Sequence, residues 1–215
     1  MNKDKFYVFL DQGHTKFTPG KCSPDKRLYE YKYVREIVKR IEDELDKLGI
    51  KHWNSHPEEG WVSSVNNTDS KDLTVRANRI NKKYNEVKRQ GYRVFLISVH
   101  VNAAGNGSNW MNASGWSVWT TKGQNNSDIL ATKLHEAATE VLLPKGKRVR
   151  RDDSDKDPDY ESNFYILKKA NCVAVLTENF FMDHRGDVDW LLSEEGKKAI
   201  VDLHIKGILK YIESL

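Results

Sequence analysis

The residues best equipped for chemistry stand where apolar runs stop. Phe6 to Leu10 run into Asp11-Gln12-Gly13-His14, the run from Val94 reaches Ser98-Val99-His100-Val101-Asn102, and the run from Val173 reaches Thr177-Glu178-Asn179. Glu30 lies in the first turn of the amphipathic segment that follows the first run. Two neutral imidazoles, one carboxylate ligand and a second, free carboxylate are the parts of a catalytic zinc site with one position left for water. Such an ion lowers the pKa of its water to roughly 7 and polarises a carbonyl, while the free carboxylate takes the proton and returns it to a leaving amine. Each residue alone has a plainer reading. A histidine at a strand end can be a hydrogen-bonded structural group, Glu30 an acid favoured by the helix dipole, and Glu178 half of a buried ion pair. On residue chemistry alone both readings stand.

What separates them is whether the elements bring these residues to one place. The runs 6–10, 94–99, 116–120 and 173–176 are short, rich in β-branched and aromatic residues, and bounded by polar or glycine residues, which predicts buried strands. A shorter strand is expected over 50–53. Tyr31, Val34, Val38, Ile41, Leu45 and Leu48 keep helical spacing, and Gly49 supplies the stop. Further helices are expected over 75–84 with Asp72 as cap, from Ser127 or Asp128 onward, and over 194–212. Strand alternating with helix implies an α/β fold around a largely parallel sheet. The carboxyl ends of parallel strands form the ligand crevice, so His14, His100 and Glu178 converge on one edge, and Glu30 can reach it.

The chain has 215 residues with 38% hydrophobic and 31% charged, and the apolar residues fall into clear blocks. That suits one domain over 1–215 with no separate binding domain, since neither a linker nor a repeat divides it. A net charge of +4 is far from the dense basic patch of a nucleic-acid binder, and suits weak attraction to an acidic polymer. Cys22 and Cys172 form no CxxC pattern, so neither a disulfide framework nor a thiolate metal site is expected; Cys172 reads as a buried strand residue. The run 6–10 is too short for a signal-peptide core, and nothing approaches a membrane span. The expectation is a monomer without nucleic-acid or membrane partners, cytoplasmic as synthesised and acting on its substrate after release, or secreted if this is an excised domain.

These motifs resemble the zinc-dependent N-acetylmuramoyl-L-alanine amidases of the type 3 class, found in bacterial autolysins and phage endolysins. Asp11-Gln12-Gly13-His14 looks like the family's Asp-Pro-Gly-His opening, with Gln for Pro. Ser98 to Ala103 is similar to its Ser-Ile-His-Ala-Asn-Ala signature, and Gly115-Trp116-Ser117-Val118 to the strand that follows. Tyr165-Ile166-Leu167, then Val173 to Glu178, then Phe180-Phe181 resembles its closing block, and Arg76 and Asn81 fit the helix before the central strand. The resemblance spans nearly the whole chain in order. It implies a single α/β domain with a six-stranded, mostly parallel sheet and helices on both faces. It implies one zinc ion on His14, Glu30 and His100, with Glu178 as general base, and peptidoglycan as substrate, cut between N-acetylmuramic acid and L-alanine. A phage or prophage lysis enzyme is the preferred setting. Asn54-Ser55-His56 departs from the family's Thr-Arg pair.

Asn102, Asn179 and Arg76 are the candidate substrate contacts. Residues 55–71, 103–115 and 145–163 read as loops, the last two as groove walls. The basic residues Lys147, Arg148, Arg150 and Arg151 could hold carboxylates of the wall, or be a solvated charge run. Trp61 and Trp110 could stack on a sugar, and His56 and His184 could border the crevice. His52, His135 and His204 read as structural. A zinc carboxypeptidase also uses two histidines and two glutamates, but its His-x-x-Glu pair is missing, since Phe17 stands third after His14. A non-catalytic wall-binding protein of the same fold would have lost its base, whereas Glu178 is intact.

Overall fold

The structure, a computed structural model, describes residues 5–16, 18–56, 69–154 and 156–215. Strand β1 (Phe6–Gln12) is buried along nearly its whole length, as a strand paired on both sides must be. It runs parallel to β2 (Lys51–Asn54) on one flank and to β3 (Arg93–Asn102) on the other. Strand β3 pairs in parallel with β6 (Val173–Phe181). Beyond β6 lies β4 (Ser117–Thr120), running antiparallel, and then β5 (Tyr160–Glu161), parallel to β4. The six-stranded order is β2-β1-β3-β6-β4-β5.

Alternation along the strands divides the core between two faces. Val8, Leu10, Ile97, Val99 and Val175 face α1 (Glu30–Lys47), α3 (Asn126–Leu142) and α6 (Glu194–Glu213). Phe9, Leu96, Ala174 and Leu176 face α2 (Asp69–Arg89) and the short α4 (Tyr165–Lys169). Each fully buried aliphatic or aromatic side chain contributes about 1.5–3 kcal/mol. The stripe Val34, Ile37, Val38, Ile41 and Leu45 buries one side of α1, and Gly49 at φ +68° ends it. A seven-residue helix, α5 (Arg185–Leu191), leads into α6.

Several boundaries differ from expectation. Helix α2 runs Asp69–Arg89, so Asp72 is not its cap but lies inside it, ion-paired one turn on with Arg76. Asn125 caps α3 through a reciprocal pair with Asp128. Trp116 precedes β4 and makes a lone bridge to Val149. Cys172 stands just before β6 and Cys22 in a loop; both are free and partly buried. Of the region expected as a loop over 55–71, residues 57–68 lie outside the described residues, as does Trp61. Among the described residues no helix is long and apolar enough to cross a membrane.

Strands β1, β3 and β6 point the same way, so their carboxyl ends meet at one edge of the sheet. Glu178 on β6 stands opposite His100 on β3 and opposite Ser117 on β4.

Candidate active site

Strand β1 hands the chain to the site through Gly13, whose N–H donates to the Val99 carbonyl at 2.9 Å and prolongs the β1–β3 ladder by one step. Position 13 has no room for a side chain, because a Cβ there would lie 2.4 Å from Nδ1 of His100. His14 then takes the left-handed region at φ +57°. Its ring meets that of His100 edge to face, with centroids 5.1 Å apart.

Glu30 enters from α1 and is fully buried. Its backbone N–H donates to the Lys21 carbonyl at 3.0 Å, which sets the start of the helix. Its Oε1 accepts the Val101 N–H at 3.0 Å and lies 3.1 Å from His100 Nδ1. Its Oε2 lies 3.7 Å from His14 Nε2 and has no hydrogen-bond partner although buried. One donor atom from each of His14, Glu30 and His100 falls within 4.8 Å of the others. Burial pushes the His14 pKa down to about 3, against the pull of Glu30, so the imidazole is neutral and its lone pair is available. The Glu30 pKa is lowered: burial would raise it, and the hydrogen bond to His100 and the two histidines override that. A buried carboxylate oxygen without a donor, beside two imidazoles, is the arrangement a divalent cation completes. The residues therefore fit a zinc ion.

Glu178 stands outside this trio. It keeps some access to solvent, while its Oε2 is buried and unpartnered. Loss of hydration and the neighbouring Glu30 charge push its pKa well above the usual carboxylate value, and Lys21 and Arg150 oppose the rise.

The bed beneath the trio is polar. The Asp11 carboxylate accepts Ser55 Oγ at 2.6 Å, Ser98 Oγ at 2.7 Å and Arg76 Nε at 3.1 Å, with a second guanidinium contact from Nη2. It joins β1 to β3, to the residue after β2 and to α2, two residues before Gly13. Ser55 and Ser98 stand in the sequence motifs without a role there, because a small hydroxyl residue does not reveal which carboxylate it will meet.

The three candidate substrate contacts divide. Arg76 is 1% exposed and held by Asp11 and Asp72. Asn179 is fully buried: its Oδ1 accepts Trp116 Nε1 at 2.9 Å, and its Nδ2 donates to the His100 carbonyl at 2.8 Å. Both are engaged by partners within the fold, Arg76 by two carboxylates and Asn179 by the Trp116 indole and the His100 carbonyl. Asn102 is partly exposed, with its Oδ1 accepting the Ala103 N–H. His56 is buried against Ser55 and Asp72, and His184 caps α5 through Asp187, so these two serve structure. His204 is buried and bonded to Thr177, His135 is buried on α3, and His52 pairs with Glu42 and Asp46.

The loop 103–115 is tied down by Asp183, whose carboxylate accepts the N–H groups of Ala104 and Gly105. It touches the segment between His14 and Glu30, where a Cβ on Gly107 would lie 2.7 Å from the Gly20 carbonyl oxygen. Trp110 packs against the core under the Arg185 guanidinium at 4.5 Å. In the loop 145–163 the four basic residues part company. Arg151 pairs with Asp153, and Lys147 lies over Trp190. The Arg148 carbonyl accepts the Trp116 N–H. Arg150 is placed between the rings of Tyr160 and Phe181, 5.2 Å from each centroid, with no carboxylate partner among the described residues.

The family profile described as N-acetylmuramoyl-L-alanine amidase matches residues 8–210. Among solved structures, the fold is similar to an N-acetylmuramoyl-L-alanine amidase from Clostridium difficile 630, at 24% identity, covering 97% of each chain, with a TM-score of 0.76. It is similar to the CwlD amidase from Clostridioides difficile, solved in complex with the GerS lipoprotein, at 18% identity, covering 98% of this chain and 100% of that one, with a TM-score of 0.77. A third similar structure is the catalytic domain of an endolysin targeting Clostridia difficile, at 21% identity over 95% of this chain and 97% of that one, with a TM-score of 0.66. No curated protein sequence matches the chain.

Proposed function

The chain belongs to the N-acetylmuramoyl-L-alanine amidase family, and from that premise we propose that His14, Glu30 and His100 hold one zinc ion and that Glu178 is the general base. The reaction is hydrolysis of the amide between N-acetylmuramic acid and the L-alanine of the peptidoglycan stem. The observation that carries this reading is Glu30 Oε2, a buried carboxylate oxygen with no donor, 3.7 Å from the Nε2 of a neutral histidine. A zinc ion bound there supplies Lewis acidity for the scissile carbonyl and acidity for a water.

The protein's own groups do the rest. Val101 N–H and His100 fix Glu30 in one orientation, and Asn179 fixes the His100 carbonyl. Orientation of ligands by such outer contacts tunes a site as much as the ligands do. Glu178 accepts a proton from the attacking water, and its raised pKa suits a carboxyl that must then keep that proton briefly. The C–N bond breaks, Glu178 delivers the proton to the departing L-alanine nitrogen, and the lactyl carbon leaves as a carboxylate. The loops 103–115 and 145–163 form the groove walls, and Arg150 offers a guanidinium to a carboxylate of the stem peptide. Asn102 is the remaining polar side chain of the three expected at the substrate. Release of such an enzyme in phage lysis accords with the endolysin among its structural relatives.

Mass analysis of digested peptidoglycan tests the bond assignment. New N-terminal L-alanine without new reducing sugar ends is the expected result. New reducing ends, or cuts inside the stem peptide, would overturn it, the latter in favour of a carboxypeptidase.

A further inference from the structure

Away from the trio lies a second group of metal-ligating side chains, Asp128, Asp157 and Asp159, with one carboxylate oxygen of each within 4.8 Å of the others. Asp159 decides how this group must be understood. It is 1% exposed, yet its Oδ1 has no hydrogen-bond partner. Its Oδ2 is taken by the Thr120 hydroxyl at 2.6 Å, which leaves Oδ1 aimed into the cluster. Asp157 Oδ1 is likewise buried without a partner. Asp128 Oδ2 accepts the Asn125 N–H at 2.6 Å, so the capping box of α3 sets the direction of that carboxylate. A buried carboxylate that faces two others without a counter-charge is costly unless a cation or a proton resolves it.

We propose that Asp128, Asp157 and Asp159 bind a calcium ion, at a second metal site distinct from the zinc trio. All the donors are carboxylate oxygens, with neither imidazole nor thiolate, and such hard sites select calcium or magnesium over zinc. Several carboxylates on a loop, with no preset octahedron, suit calcium, which takes six to eight oxygens in flexible geometry. The local sequence supplies acids at every second position, Asp153, Asp155, Asp157, Asp159 and Glu161. Among the described acids of this run, Asp153 is spent on Arg151 and Glu161 accepts the Gly123 N–H, which leaves 157 and 159 for the cluster.

The position gives the ion a use. Thr120 ends β4, whose first residue, Ser117, faces Glu178. The excursion 151–159 begins directly after Arg150, which rests on Phe181 at the catalytic edge. An ion joining Asp157 and Asp159 to Asp128 ties the far end of this excursion to the start of α3 and so holds the groove wall. A proton on Asp159 is the competing occupant. Burial and the two neighbouring carboxylates push its pKa up to about 8 in the metal-free protein.

The test uses zinc-loaded protein in calcium-depleted buffer, with calcium, magnesium and terbium as probes. Trp119 and Tyr160, stacked at 4.8 Å beside Thr120 and Asp159, serve as the antenna for terbium emission. Calcium should raise the melting temperature by roughly 5 °C or more at a hundredfold excess over its dissociation constant. Terbium emission should appear and be displaced by calcium far more readily than by magnesium. Asp159→Asn and the less buried Asp157→Asn should each fold, keep full zinc and lose most of both responses. The proposal is overturned if the parent shows no calcium response up to roughly 10 mM, beyond the range of weak protein calcium sites. It is equally overturned if both variants respond as the parent does. Stabilisation of calcium-free protein by Asp159→Asn, with a parent indifferent to calcium, would assign the cluster to a proton instead.

Discussion

The His100 imidazole occupies the space that a side chain at Gly13 would need: a Cβ at position 13 would stand 2.4 Å from Nδ1 and 2.6 Å from Cε1 of that ring. Gly13 is therefore required by a ring from another strand and not by its own backbone angle. Gly13→Ala should push the His100 ring aside. Overpacking of this kind costs about 1–3 kcal/mol, and misplacing a ligand should weaken zinc about 10- to 100-fold, as loss of a ligand's supporting contacts does. Competition with a chromogenic chelator measures this, and parent-like affinity in the Ala variant would show that the ring moves without consequence.

Zinc retention should depend on each of the three proposed ligands. The purified protein should carry one zinc per chain, and His14→Ala, Glu30→Ala and His100→Ala should each lose most of it. Chelation should abolish hydrolysis and added zinc restore it. Full zinc content in any one variant, by elemental analysis, removes that residue from the ligand set.

Glu178→Gln keeps size and removes basicity. It should leave zinc content and melting temperature close to those of the parent and reduce turnover roughly 10²- to 10⁴-fold. A folded, zinc-loaded variant that still cuts near the parent rate contradicts the assignment. A large drop in melting temperature with activity retained would instead mark Glu178 as structural.

The Asp11–Arg76 pair predicts how stability follows pH. Burial alone would raise the Asp11 pKa; the Arg76 charge, its hydrogen bonds and that of Ser55 hold it well below the ordinary value of 3.8. The folded state thus favours the ionised carboxyl. Its contribution is complete above the unfolded value and is lost as the pH falls below 3.8 toward the lower folded value. Arg76→Met leaves a buried, uncompensated carboxylate and should cost about 3–5 kcal/mol at neutral pH. The sign then reverses, and the variant should lose less stability on acidification than the parent. Urea midpoints across a pH series test this; parallel curves for the two proteins would count against it.

Among the four basic residues of the 145–163 loop, Arg150 should matter most to substrate. Its guanidinium is held between Tyr160 and Phe181, whereas Arg151 is spent on Asp153. Arg150→Gln should raise KM and flatten the dependence of hydrolysis on salt, with zinc content unchanged. Equal kinetics in the parent and variant over a salt series would return the loop to a solvated charge run.

Much of the frame is local and was legible in the residues. Apolar runs that give way to Asp11 to His14, Ser98 to Asn102 and Thr177 to Asn179 mark the edge of the sheet that carries the site, although β3 and β6 continue through these residues to Asn102 and Phe181, with Ser98, Thr177 and Asn179 buried inside them. The 3.6-residue spacing from Val34 to Leu45 and the stop at Gly49 mark α1, because a helix buries one stripe. The family resemblance implied the roles proposed for His14, Glu30, His100 and Glu178. The partners of buried polar groups were not legible, because such pairs join residues far apart in sequence and leave no periodic trace. Asn179 and Arg76 have the composition of substrate contacts, and only packing reveals that Trp116 with the His100 carbonyl, and Asp11 with Asp72, consume them. The two-residue β5 carries too little hydropathy signal to be seen, and β4's antiparallel direction depends on pairing with β6. Sequence thus determined which residues reach the sheet edge. The tertiary structure decided which of them keep a free polar atom there, since that is set by neighbours that chain order does not reveal.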